Sequence, residues 1–532
     1  MSSSPTVLIR VDASLRIGSG HLMRCRNLAR GLRNRGANVF FICRRHSDAI
    51  HASILDGEFT FLELPSFNSD YCHDQKPIDY EGWLGCSELN DANHTCDAIT
   101  TAGISHVDAF VIDHYAIGIA WETCIGKKLP YATILVLDDL ANRPHFANWL
   151  IDASRPKSDA FIDYKNLLSD NCQLMTGAFF ALLSLDYAFM SPVVNARDRL
   201  RRILVFFGGV DQSNYTESAL SALNIPQFKD LDIDVVLASS APHLSSVKHV
   251  VCSMPNARLH VSLASLSGLI VKADLAIGAA GTTSWERACL GLPTIVIPVA
   301  KNQEDGASEL NRIGAAICLY ERGKSALVHG IRSTLIELIK SQTRLTDMSK
   351  ASIRLGDGRG VNRAVTCLLG PDFPLRIRPT LNSDIWLYYW WTLDPAVRSQ
   401  SFNTSSITVV DHQAWFQRCL DSAEVSMFVL VDRTDLPLGQ IRFERQNDSQ
   451  SRIKISFSLD RIVRGLGLGA KLLDLGLDAV RSTWDKRLCF FAQVKSDNVA
   501  SARVFLSYGF VERSFAGNEM REFELFSPPF TS

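Results

Sequence analysis

The chain has 532 residues, 46% of them hydrophobic, which suffices for about three or four domains with buried cores. Its 55 basic and 56 acidic residues nearly cancel, so we expect small-molecule partners and no nucleic acid. The sequence has neither a signal-peptide pattern at its N-terminus nor about 18 uncharged apolar residues in a row. We therefore expect a cytoplasmic protein without stable membrane association.

The 13 cysteines are scattered and include no C-x-x-C pair. This argues against a disulfide framework and against a structural zinc site, so we expect reduced thiols and no metal. Cys72, Cys86 and Cys96, with His73 and His94, come nearest to a cluster, but their spacing fits no pattern of metal ligands.

The first predicted element is a strand at residues 7–11, an apolar run rich in β-branched side chains. A turn, Gly18-Ser19-Gly20, then leads into a predicted helix with apolar residues at helical spacing. Backbone N–H groups at a helix start attract anions such as a diphosphate, and His21 stands there as a group that titrates near neutral pH. This stretch alone leaves two interpretations of His21 open: a base beside a phosphate leaving group, or a side chain that caps or packs.

Predicted strands and helices alternate from Val7 to about Asp186, which is typical of a parallel sheet with helices on both faces. Ligands bind where parallel strands end, so Asp113-His114-Tyr115, at the end of the predicted strand Ala109–Asp113, should lie on the same rim as His21. For Asp113 itself, the sequence favours a structural role. The polar segment Asn68–Asn93 is predicted to be a long loop or insertion.

A proline and a run of charges at Ser191–Arg202 predict a domain boundary, which divides residues 1–192 from residues 193–370. In the second domain predicted strands and helices alternate again, and the strands are Ile203–Phe207, Val235–Ala238, Leu275–Gly278 and Thr294–Ile297. Three aspartates, Asp230, Asp232 and Asp234, precede the second of these strands. That end of a parallel strand is opposite to the ligand side, so we expect solvated turn residues there.

Residues 277–303 carry the strongest signal for a nucleotide. Gly281 lies in a glycine-rich turn after a strand, Thr282 and Thr283 add hydroxyls, and Glu286 falls in the first turn of the next helix. Such a turn can hold a diphosphate, and Glu286 a ribose diol. Alternatively, Glu286 only interacts with the helix dipole, which is worth about 0.3–1 kcal/mol. Asn302 follows the next strand on the same rim and favours the ligand-binding interpretation.

Several motifs occur in a fixed order over roughly Thr6 to Leu369: DASLRIGSGHLMRC, FVIDHY, FFGGVDQSN, GAAGTTSWERACLGLP, KNQ and DGRGVNR. Two Rossmann-like halves with these turns look like the GT-B architecture. More narrowly, the motifs resemble the UDP-sugar hydrolase family of pseudaminic acid biosynthesis. That family releases UDP from UDP-2,4-diacetamido-2,4,6-trideoxy-β-L-altropyranose.

The resemblance implies a role for each motif residue. His21 would be the base that activates water for an inverting attack at the anomeric carbon. UDP would be held by Gly281, Thr282, Thr283 and Glu286, and the substrate would also contact Gly20, Tyr115 and Asn302. Arg24 would either contact phosphate or hold the surroundings of His21.

After Gly370-Pro371-Asp372-Phe373-Pro374 the doubly wound pattern stops, and a third domain is predicted at residues 375–532. A predicted strand, Ile453–Leu459, precedes Arg464-x-x-Gly467-x-Gly469 and a predicted helix. Bare backbone N–H groups in such a loop can bind the pyrophosphate of acetyl-CoA. We therefore predict cofactor binding by Arg464, Gly465, Gly467 and Gly469.

The loop is followed by a predicted strand, Cys489–Val494, then by Asn498, Ser501 and Tyr508-Gly509-Phe510. This order resembles the GNAT N-acetyltransferases, which implies an α+β fold with acetyl-CoA as cosubstrate. Asn498 and Ser501 would contact the cofactor, although Asn498 also fits a structural cap. Many family members carry a tyrosine where this chain has Phe505, so the CoA thiolate would be protonated by Tyr508, by water or by no specific group.

Arg398, His412 and Trp415 look like the GNAT subgroup that acetylates the 4-amino group of the same UDP-sugar, so Arg398 and His412 are predicted substrate contacts. The predicted fold is α/β: a GT-B-like pair of Rossmann-like domains followed by an α+β GNAT acyltransferase domain. The predicted partners are a UDP-linked amino sugar and acetyl-CoA. The main hypothesis is a bifunctional enzyme in which the C-terminal domain acetylates the UDP-4-amino-6-deoxy sugar and the N-terminal pair hydrolyses the product.

Two alternatives stay open. The N-terminal pair could be a GT-B glycosyltransferase, although no basic amphipathic helix that would suit a lipid acceptor is evident in the sequence. It could also be a non-catalytic module that binds a nucleotide sugar and regulates the acetyltransferase.

Overall fold

The computed structural model describes residues 4–14, 17–46, 57–66, 80–154, 162–191, 196–320, 323–405, 407–446, 452–484, 488–513 and 520–526. The chain forms two compact units, Met1–Leu369 and Gly370–Ser532. Residues 192–195, within the predicted boundary between the first two domains, lie outside the described residues, so that boundary stays a prediction.

The first sheet of the N-terminal unit has, within the described residues, seven parallel strands in the order β3-β2-β1-β4-β5-β6-β7. Its central strands are apolar and buried, as expected for a sheet covered on both faces. The strands are β1 Thr6–Val11, β2 Asn38–Arg44, β3 Thr60–Leu64, β4 Ala109–Asp113, β5 Thr133–Leu137, β6 Trp149–Asp152 and β7 Gln173–Thr176.

The second sheet of this unit has six parallel strands among the residues that the structure describes, in the order β10-β9-β8-β11-β12-β13. Both sheets reverse their strand order next to the first strand, so each presents a ligand-binding rim at its carboxyl ends. The strands are β8 Arg202–Phe206, β9 Asp232–Leu237, β10 Ala257–Val261, β11 Leu275–Ala279, β12 Thr294–Ile297 and β13 Ala316–Cys318.

Helices connect these strands and cover the two sheets. They are α1 Gly20–Asn34, α2 Glu81–Leu84, α3 Glu88–Thr101, α4 Ile119–Lys128, α5 Leu185–Met190, α6 Tyr215–Leu223, α7 Leu244–Cys252, α8 Ser267–Lys272, α9 Thr283–Cys289, α10 Glu304–Arg312, α11 Lys324–Lys340, α12 Gln342–Ile353 and α13 Gly360–Leu369. Short 3-10 turns occur at Ala178–Phe180, Pro226–Phe228 and Lys301–Gln303.

The last helix of the unit returns to the first sheet. Helix α13 packs against α1, and Gly31 makes this possible because a Cβ atom at that position would clash with Val361. The two helices therefore approach more closely than side chains at position 31 would permit.

The C-terminal unit contains one mixed sheet in the order β14-β15-β16-β17-β18-β20-β19. Its neighbours are antiparallel except β17 and β18, which are parallel. The elements are β14 Arg376–Pro379, α14 Ile385–Thr392, α15 Pro395–Ser399, α16 Val409–Asp421, β15 Val425–Val431, β16 Pro437–Arg445, β17 Arg452–Leu459, α17 Leu468–Thr483, β18 Cys489–Lys495, α18 Val499–Tyr508, β19 Val511–Arg513 and β20 Met520–Phe526, with 3-10 turns at Asn382–Asp384 and Arg461–Val463. The predicted succession of two parallel α/β sheets and an α+β region is confirmed.

Two local predictions need correction. Residues 68–79 of the predicted loop lie outside the described residues, but the remainder is largely helical, in α2 and α3. Helix α3 buries the charged Asp91, which bonds to Arg10 and Arg44. This buried charge interrupts the helical spacing of apolar residues that would otherwise predict a helix. Asp234 is likewise not solvated: it is 2% exposed and bonds to neighbouring strands through Arg202 (2.9 Å) and His260 (2.8 Å).

Candidate functional site

A cavity of about 440 Å³ in the N-terminal unit is lined from both sheets. Of the predicted site residues, it brings together Gly20, His21, Arg24, Tyr115, Gly281, Thr282 and Asn302. Thr283 and Glu286 are not among its lining residues. The cavity lies where the carboxyl ends of parallel strands meet helix starts, which is where such folds bind ligands.

His21 is fixed by a carboxylate. It is the second residue of α1, and Asp113 is the last residue of β4, the strand that pairs directly with β1. The Nδ1 atom of His21 lies 2.6 Å from Oδ1 of the fully buried Asp113. The N-cap of α1 is Ser19, so His21 does not cap the helix.

The charge state of Asp113 decides the histidine tautomer. Burial alone would raise the pKa of Asp113, but the Arg24 guanidinium and His21 oppose it and hold that pKa well below its ordinary value. An ionised carboxylate only accepts hydrogen bonds, so Nδ1 of His21 donates and the lone pair is on Nε2. His21 can therefore accept a proton at Nε2.

Arg24 is committed to two carboxylates. Its Nε and Nη2 atoms each donate to Asp113 at 2.7 Å, and its Nη1 atom donates to Asp139 at 2.7 Å. Of the two roles considered for Arg24, this arrangement supports the one in which it holds the surroundings of His21.

Asp139 connects this cluster to the second sheet. The Tyr115 hydroxyl donates to Asp139 at 2.8 Å, and Nδ2 of Asn302 lies 3.4 Å from the same hydroxyl. No sequence motif singles out Asp139. Its position shortly after β5, on the rim where such sheets bind ligands, is the feature that would have identified it.

An aromatic wall, defined as Tyr80, Trp83 and Tyr115, borders His21. The rings of Trp83 and Tyr115 are stacked at 5.8 Å, and Tyr80 meets them edge-on at 4.9 and 5.0 Å. The His21 ring packs edge-on against Tyr115 at 4.5 Å. Tyr80 and Trp83 were missed because they fall in the segment predicted to be a loop. Such flat apolar surfaces suit the hydrophobic face of a ring-shaped ligand.

The second sheet contributes the turn before α9. The backbone N–H of Ser284 donates to the carbonyl of Gly281 at 2.9 Å, and Thr282 is the N-cap residue. The buried Arg287 braces this turn through a 2.6 Å bond to the Ala279 carbonyl. The turn can present Gly281 and Thr282 to a ligand without rearrangement.

Glu286 has an unusual environment. Burial raises the pKa of its carboxyl to about 7, and the neighbouring Tyr187 hydroxyl and Arg287 guanidinium offset this only in part. The predicted contact of Glu286 with a ribose diol stays a prediction, as does the role of Thr283.

In the C-terminal unit, the glycine loop contains two different kinds of glycine. Gly465 and Gly467 have φ angles of +82° and +75°, which side-chain-bearing residues rarely adopt, and in the described part of the chain no atom beyond the adjoining residues lies within 4 Å of a Cβ at either position. Gly469 differs, because a Cβ there would lie 2.8 Å from Val504. The lack of a side chain at Gly469 thus permits the close approach of α17 and α18, and the predicted contact of Gly469 with cofactor stays a prediction.

Arg464 is also occupied within the protein. Its Nε donates to the Leu459 carbonyl and its Nη1 to Asp394, both at 3.0 Å. Its guanidinium thus braces the loop, and the predicted contact of Arg464 with cofactor stays a prediction.

The parallel pairing of β17 and β18 is short. Only Arg452–Lys454 pair with Cys489–Phe491, although the strands continue to Leu459 and Lys495. Beyond this point their facing backbone edges are separated within the described residues. An extended ligand with amide groups could bond to such edges.

Helix α18 holds the remaining predicted cofactor residues. Oδ1 of Asn498 accepts from the Ser501 N–H at 3.0 Å, so Asn498 is the helix cap that had been the less favoured interpretation. Phe505 is 2% exposed and stacks on Phe523 at 5.7 Å, which explains an apolar ring there. Tyr508 ends the helix and packs near Phe510 at 6.2 Å.

The two predicted substrate contacts in this unit differ. Arg398 lies in α15 and donates to the Ser405 carbonyl at 2.5 Å. His412 is 2% exposed, and its Nε2 donates to the Ile385 carbonyl at 2.8 Å. Burial lowers the pKa of His412, which favours the neutral ring. His412 therefore joins α14 to α16, and its predicted contact with the sugar stays a prediction.

Comparison with protein families assigns two of these regions. Residues 375–511 match the acetyltransferase (GNAT) domain, and residues 202–363 match the glycosyltransferase family 28 C-terminal domain. The chain carries a GNAT acetyltransferase domain. The GNAT domain follows a glycosyltransferase-28-like lobe, so the chain combines an acetyltransferase with a GT-B-like module.

Two relatives extend this picture. The chain is 29% identical over 196 residues to the spore coat polysaccharide biosynthesis protein SpsG of Bacillus subtilis, a match over 35% of this chain and 56% of SpsG. The match therefore spans little more than half the length of that relative. An uncharacterized protein of Methanocaldococcus jannaschii is 20% identical over 523 residues, which cover 95% of this chain and 96% of that protein.

Solved structures resemble the two parts separately. MurG of Acinetobacter baumannii is 15% identical with a TM-score of 0.47, covering 68% of this chain and 99% of MurG. A spermidine N-acetyltransferase of Vibrio cholerae, solved with CoA and spermine, is 14% identical with a TM-score of 0.26, covering 29% of this chain and 95% of that protein.

Among the described residues, no three or more His, Cys, Asp or Glu side chains are placed to hold a metal ion. Cys72 and His73, from the loose cluster in the sequence, lie outside those residues. Within the same part of the chain, no helix has the length and apolar character needed to cross a membrane.

Proposed function

We propose that the chain is a bifunctional enzyme of nucleotide-sugar metabolism. The GNAT domain acetylates the 4-amino group of a UDP-4-amino-6-deoxy sugar. The N-terminal unit then hydrolyses UDP-2,4-diacetamido-2,4,6-trideoxy-β-L-altropyranose to UDP and free sugar, a step of pseudaminic acid biosynthesis. The resemblance of the ordered motifs between Thr6 and Leu369 supports this substrate.

The observation that carries the hydrolase proposal is the 2.6 Å bond between His21 and the ionised Asp113 beside the cavity. Nε2 of His21 takes a proton from water as the water oxygen bonds to the anomeric carbon. The bond from that carbon to the UDP oxygen breaks, and its electron pair leaves with UDP. Attack opposite to the leaving group inverts the anomeric centre, and base catalysis of this kind is worth about 10²–10⁴-fold.

The neighbours of His21 support the same step. Asp113 stabilises the imidazolium that forms, while Arg24 keeps Asp113 ionised. The aromatic wall provides a surface for the sugar ring, and the Gly281–Thr282 turn provides backbone groups for the diphosphate. Glu286 is the proposed partner of the ribose diol.

The acetyl transfer is proposed on the match to GNAT domains and the geometry of the glycine loop. Acetyl-CoA supplies the acetyl group. Its pyrophosphate would be held by backbone N–H groups around Gly465 and Gly467, and its amide chain by the separated edges of β17 and β18. The neutral sugar amine bonds to the acetyl carbon and the C–S bond breaks. The nitrogen releases one proton to water as the amide forms, and the thiolate takes a proton from Tyr508 or water.

The test incubates the full-length protein with UDP-4-amino sugar and acetyl-CoA and follows all products by mass spectrometry. The wild type should yield free diacetamido sugar and UDP, whereas His21→Ala should accumulate the acetylated UDP-sugar. His106→Ala is the matched control, since His106 is an exposed histidine beside Asp108, before β4 begins. Free sugar at the normal rate from His21→Ala would show that His21 is not the base.

The match to the glycosyltransferase family 28 C-terminal domain favours a second candidate, a glycosyltransferase that passes the sugar to an acceptor. The same assay separates the two, because a transferase releases UDP only after an acceptor is added. Intact UDP-sugar with tight binding, with and without acceptor, would instead favour a regulatory binding module.

A further inference from the structure

A single buried carboxylate joins two parts of the GNAT domain. Asp394 is the N-cap residue of α15 and is 5% exposed. Its Oδ2 accepts from Nε and Nη2 of Arg461 at 3.1 and 2.7 Å. Its Oδ1 accepts from Nη1 of Arg464 at 3.0 Å and from the Ala396 N–H at 3.0 Å. Two arginines just before the glycine loop therefore converge on one residue of α15.

The loop itself has little packing of its own. Apart from the adjoining residues, no atom of the residues that the structure describes lies within 4 Å of a Cβ at Gly465 or Gly467, and Leu466 between them is 52% exposed. Such a segment gains little from apolar burial, so bonds at its base must define its shape. Arg464 supplies these bonds through Asp394 and through the Leu459 carbonyl.

A second carboxylate repeats the connection. Asp460, 8% exposed, accepts from the Trp391 indole N–H at 2.7 Å and from the Ile462 N–H at 3.1 Å. Trp391 belongs to α14, so α14 as well as the N-cap of α15 is bonded to the start of the loop.

We propose that Asp394 is a positioning residue for acetyl-CoA. It fixes Arg461 and Arg464 so that the backbone N–H groups of the glycine loop face the pyrophosphate, and it makes this arrangement depend on α15. Helix α15 also carries Arg398, the predicted contact of the sugar substrate. The binding of the two substrates is therefore coupled through Asp394, and the coupling is reciprocal. This inference rests on acetyl-CoA binding by the GNAT domain.

The first test measures CoA binding to the full-length protein by calorimetry. Asp394→Asn keeps an oxygen for the Ala396 N–H but replaces the other oxygen and the negative charge that the two arginines share. We expect the Kd for CoA to rise about tenfold or more, because the charge-assisted bonds that fix Arg461 and Arg464 are lost and the glycine loop is no longer held in its binding shape. In steady-state assays the KM for the sugar amine should rise as well.

A matched control separates positioning from general stability. Asp432 is 1% exposed and accepts from the N–H groups of Thr434 and Leu436 in a turn distant in sequence from the glycine loop. Asp432→Asn should lower the melting temperature without changing the Kd for CoA. An unchanged Kd in Asp394→Asn, or an equal rise in both variants, would overturn the proposal.

A second variant, Arg464→Gln, tests the same bond without Asp394→Asn: alone it should also raise the Kd for CoA, and an unchanged Kd would contradict the proposal. Arg464→Gln removes one arginine and leaves the carboxylate. If the two residues act as one unit, Asp394→Asn with Arg464→Gln should weaken CoA binding by less than the product of the single effects. Independent, multiplicative effects would contradict the proposal. A wild-type protein that does not bind CoA would instead overturn the assignment of the cosubstrate.

Discussion

His21 and Asp113 meet at the carboxyl-end rim of the adjacent strands β1 and β4, with Nδ1 of His21 2.6 Å from Oδ1 of Asp113. Asp113→Asn should lower the rate of UDP release by on the order of 10²-fold or more, because an amide neither fixes the same tautomer nor stabilises the imidazolium. The rate is measured with saturating UDP-sugar, and UDP affinity should change little. Asp108→Asn, just before the other end of β4, is the control. Equal rates for the two variants would remove Asp113 from the mechanism.

The hydroxyl of Tyr115 is the link between Asn302 and Asp139. Tyr115→Phe keeps the ring in the aromatic wall but removes both bonds. We expect kcat for UDP release to fall about tenfold, in line with the loss of about 1.4 kcal/mol from bonds that include one to a carboxylate. The Kd for UDP alone should stay the same. A variant with unchanged kcat would show that the link does not contribute to turnover.

Trp83 should affect sugar binding without affecting nucleotide binding. Trp83→Ala removes one ring of the aromatic wall, and we expect the KM for UDP-sugar to rise about 3- to 10-fold, equivalent to about 0.7–1.4 kcal/mol. Calorimetry with UDP serves as the internal comparison. If UDP itself binds more weakly by the same factor, the wall supports the cavity as a whole and has no specific role for the sugar.

Glu286 predicts a pH dependence of stability. Glutamate in an unfolded chain ionises near about 4.3, whereas the pKa of Glu286 in the folded protein is raised to about 7. Between these values the folded state binds more protons, so the contribution of Glu286 is fully present below pH 4.3 and is lost as the pH rises through 7. Glu286→Gln removes this dependence.

The free energy of unfolding is measured with urea at pH 5 and pH 8. The transition to follow is the one that moves to higher urea when UDP is added, since it belongs to the unit that contains Glu286. Relative to Glu286→Gln, the wild type should lose stability between the two pH values. Glu337→Gln, at a glutamate that is 64% exposed, is the comparison. A constant difference between wild type and Glu286→Gln across this range would contradict the burial argument.

The lack of a side chain at Gly469 should be required for the packing of α17 against α18. Gly469→Ala places a methyl group 2.8 Å from Val504, so we expect the free energy of unfolding of the GNAT domain to fall by about 1–3 kcal/mol. Adding Val504→Ala makes room and should recover part of the loss. If the double variant is as unstable as Gly469→Ala, the contact with Val504 is not the cause.

The parts of the fold that local pattern determines were predictable. Buried strands such as Ala109–Asp113 are short apolar runs, and the turn before Thr283 has the spacing of a strand, a glycine turn and a helix cap. His21 could be identified as a candidate because its glycine turn precedes a helix. For its partner Asp113 the sequence favoured a structural role, since the sequence does not state which rim residues meet.

The two corrected predictions, at Asp91 and Asp234, share one cause, which is charge buried by pairing between residues distant in sequence. Asp91 is a charged residue on the buried face of α3, so it interrupts the helical spacing of apolar residues. Its counter-ions lie on two strands that are distant in sequence. The pairing of Arg464 with Asp394, 70 residues earlier, is not visible in the loop motif, and the predicted contact of Arg464 with cofactor stays a prediction. His412 satisfies its ring through a backbone carbonyl, and no side-chain pattern announces such a bond.

The contact between Gly31 and Val361 limits how this protein can be divided by engineers or by gene rearrangement. The helix that begins with the His21 turn is supported at its other end by a segment encoded more than 300 codons downstream. A fragment that ends after β13 would keep both sheets yet leave that helix without its neighbour. Grafting a different nucleotide-binding lobe onto the first sheet would therefore need to retain α13 as part of the recipient half.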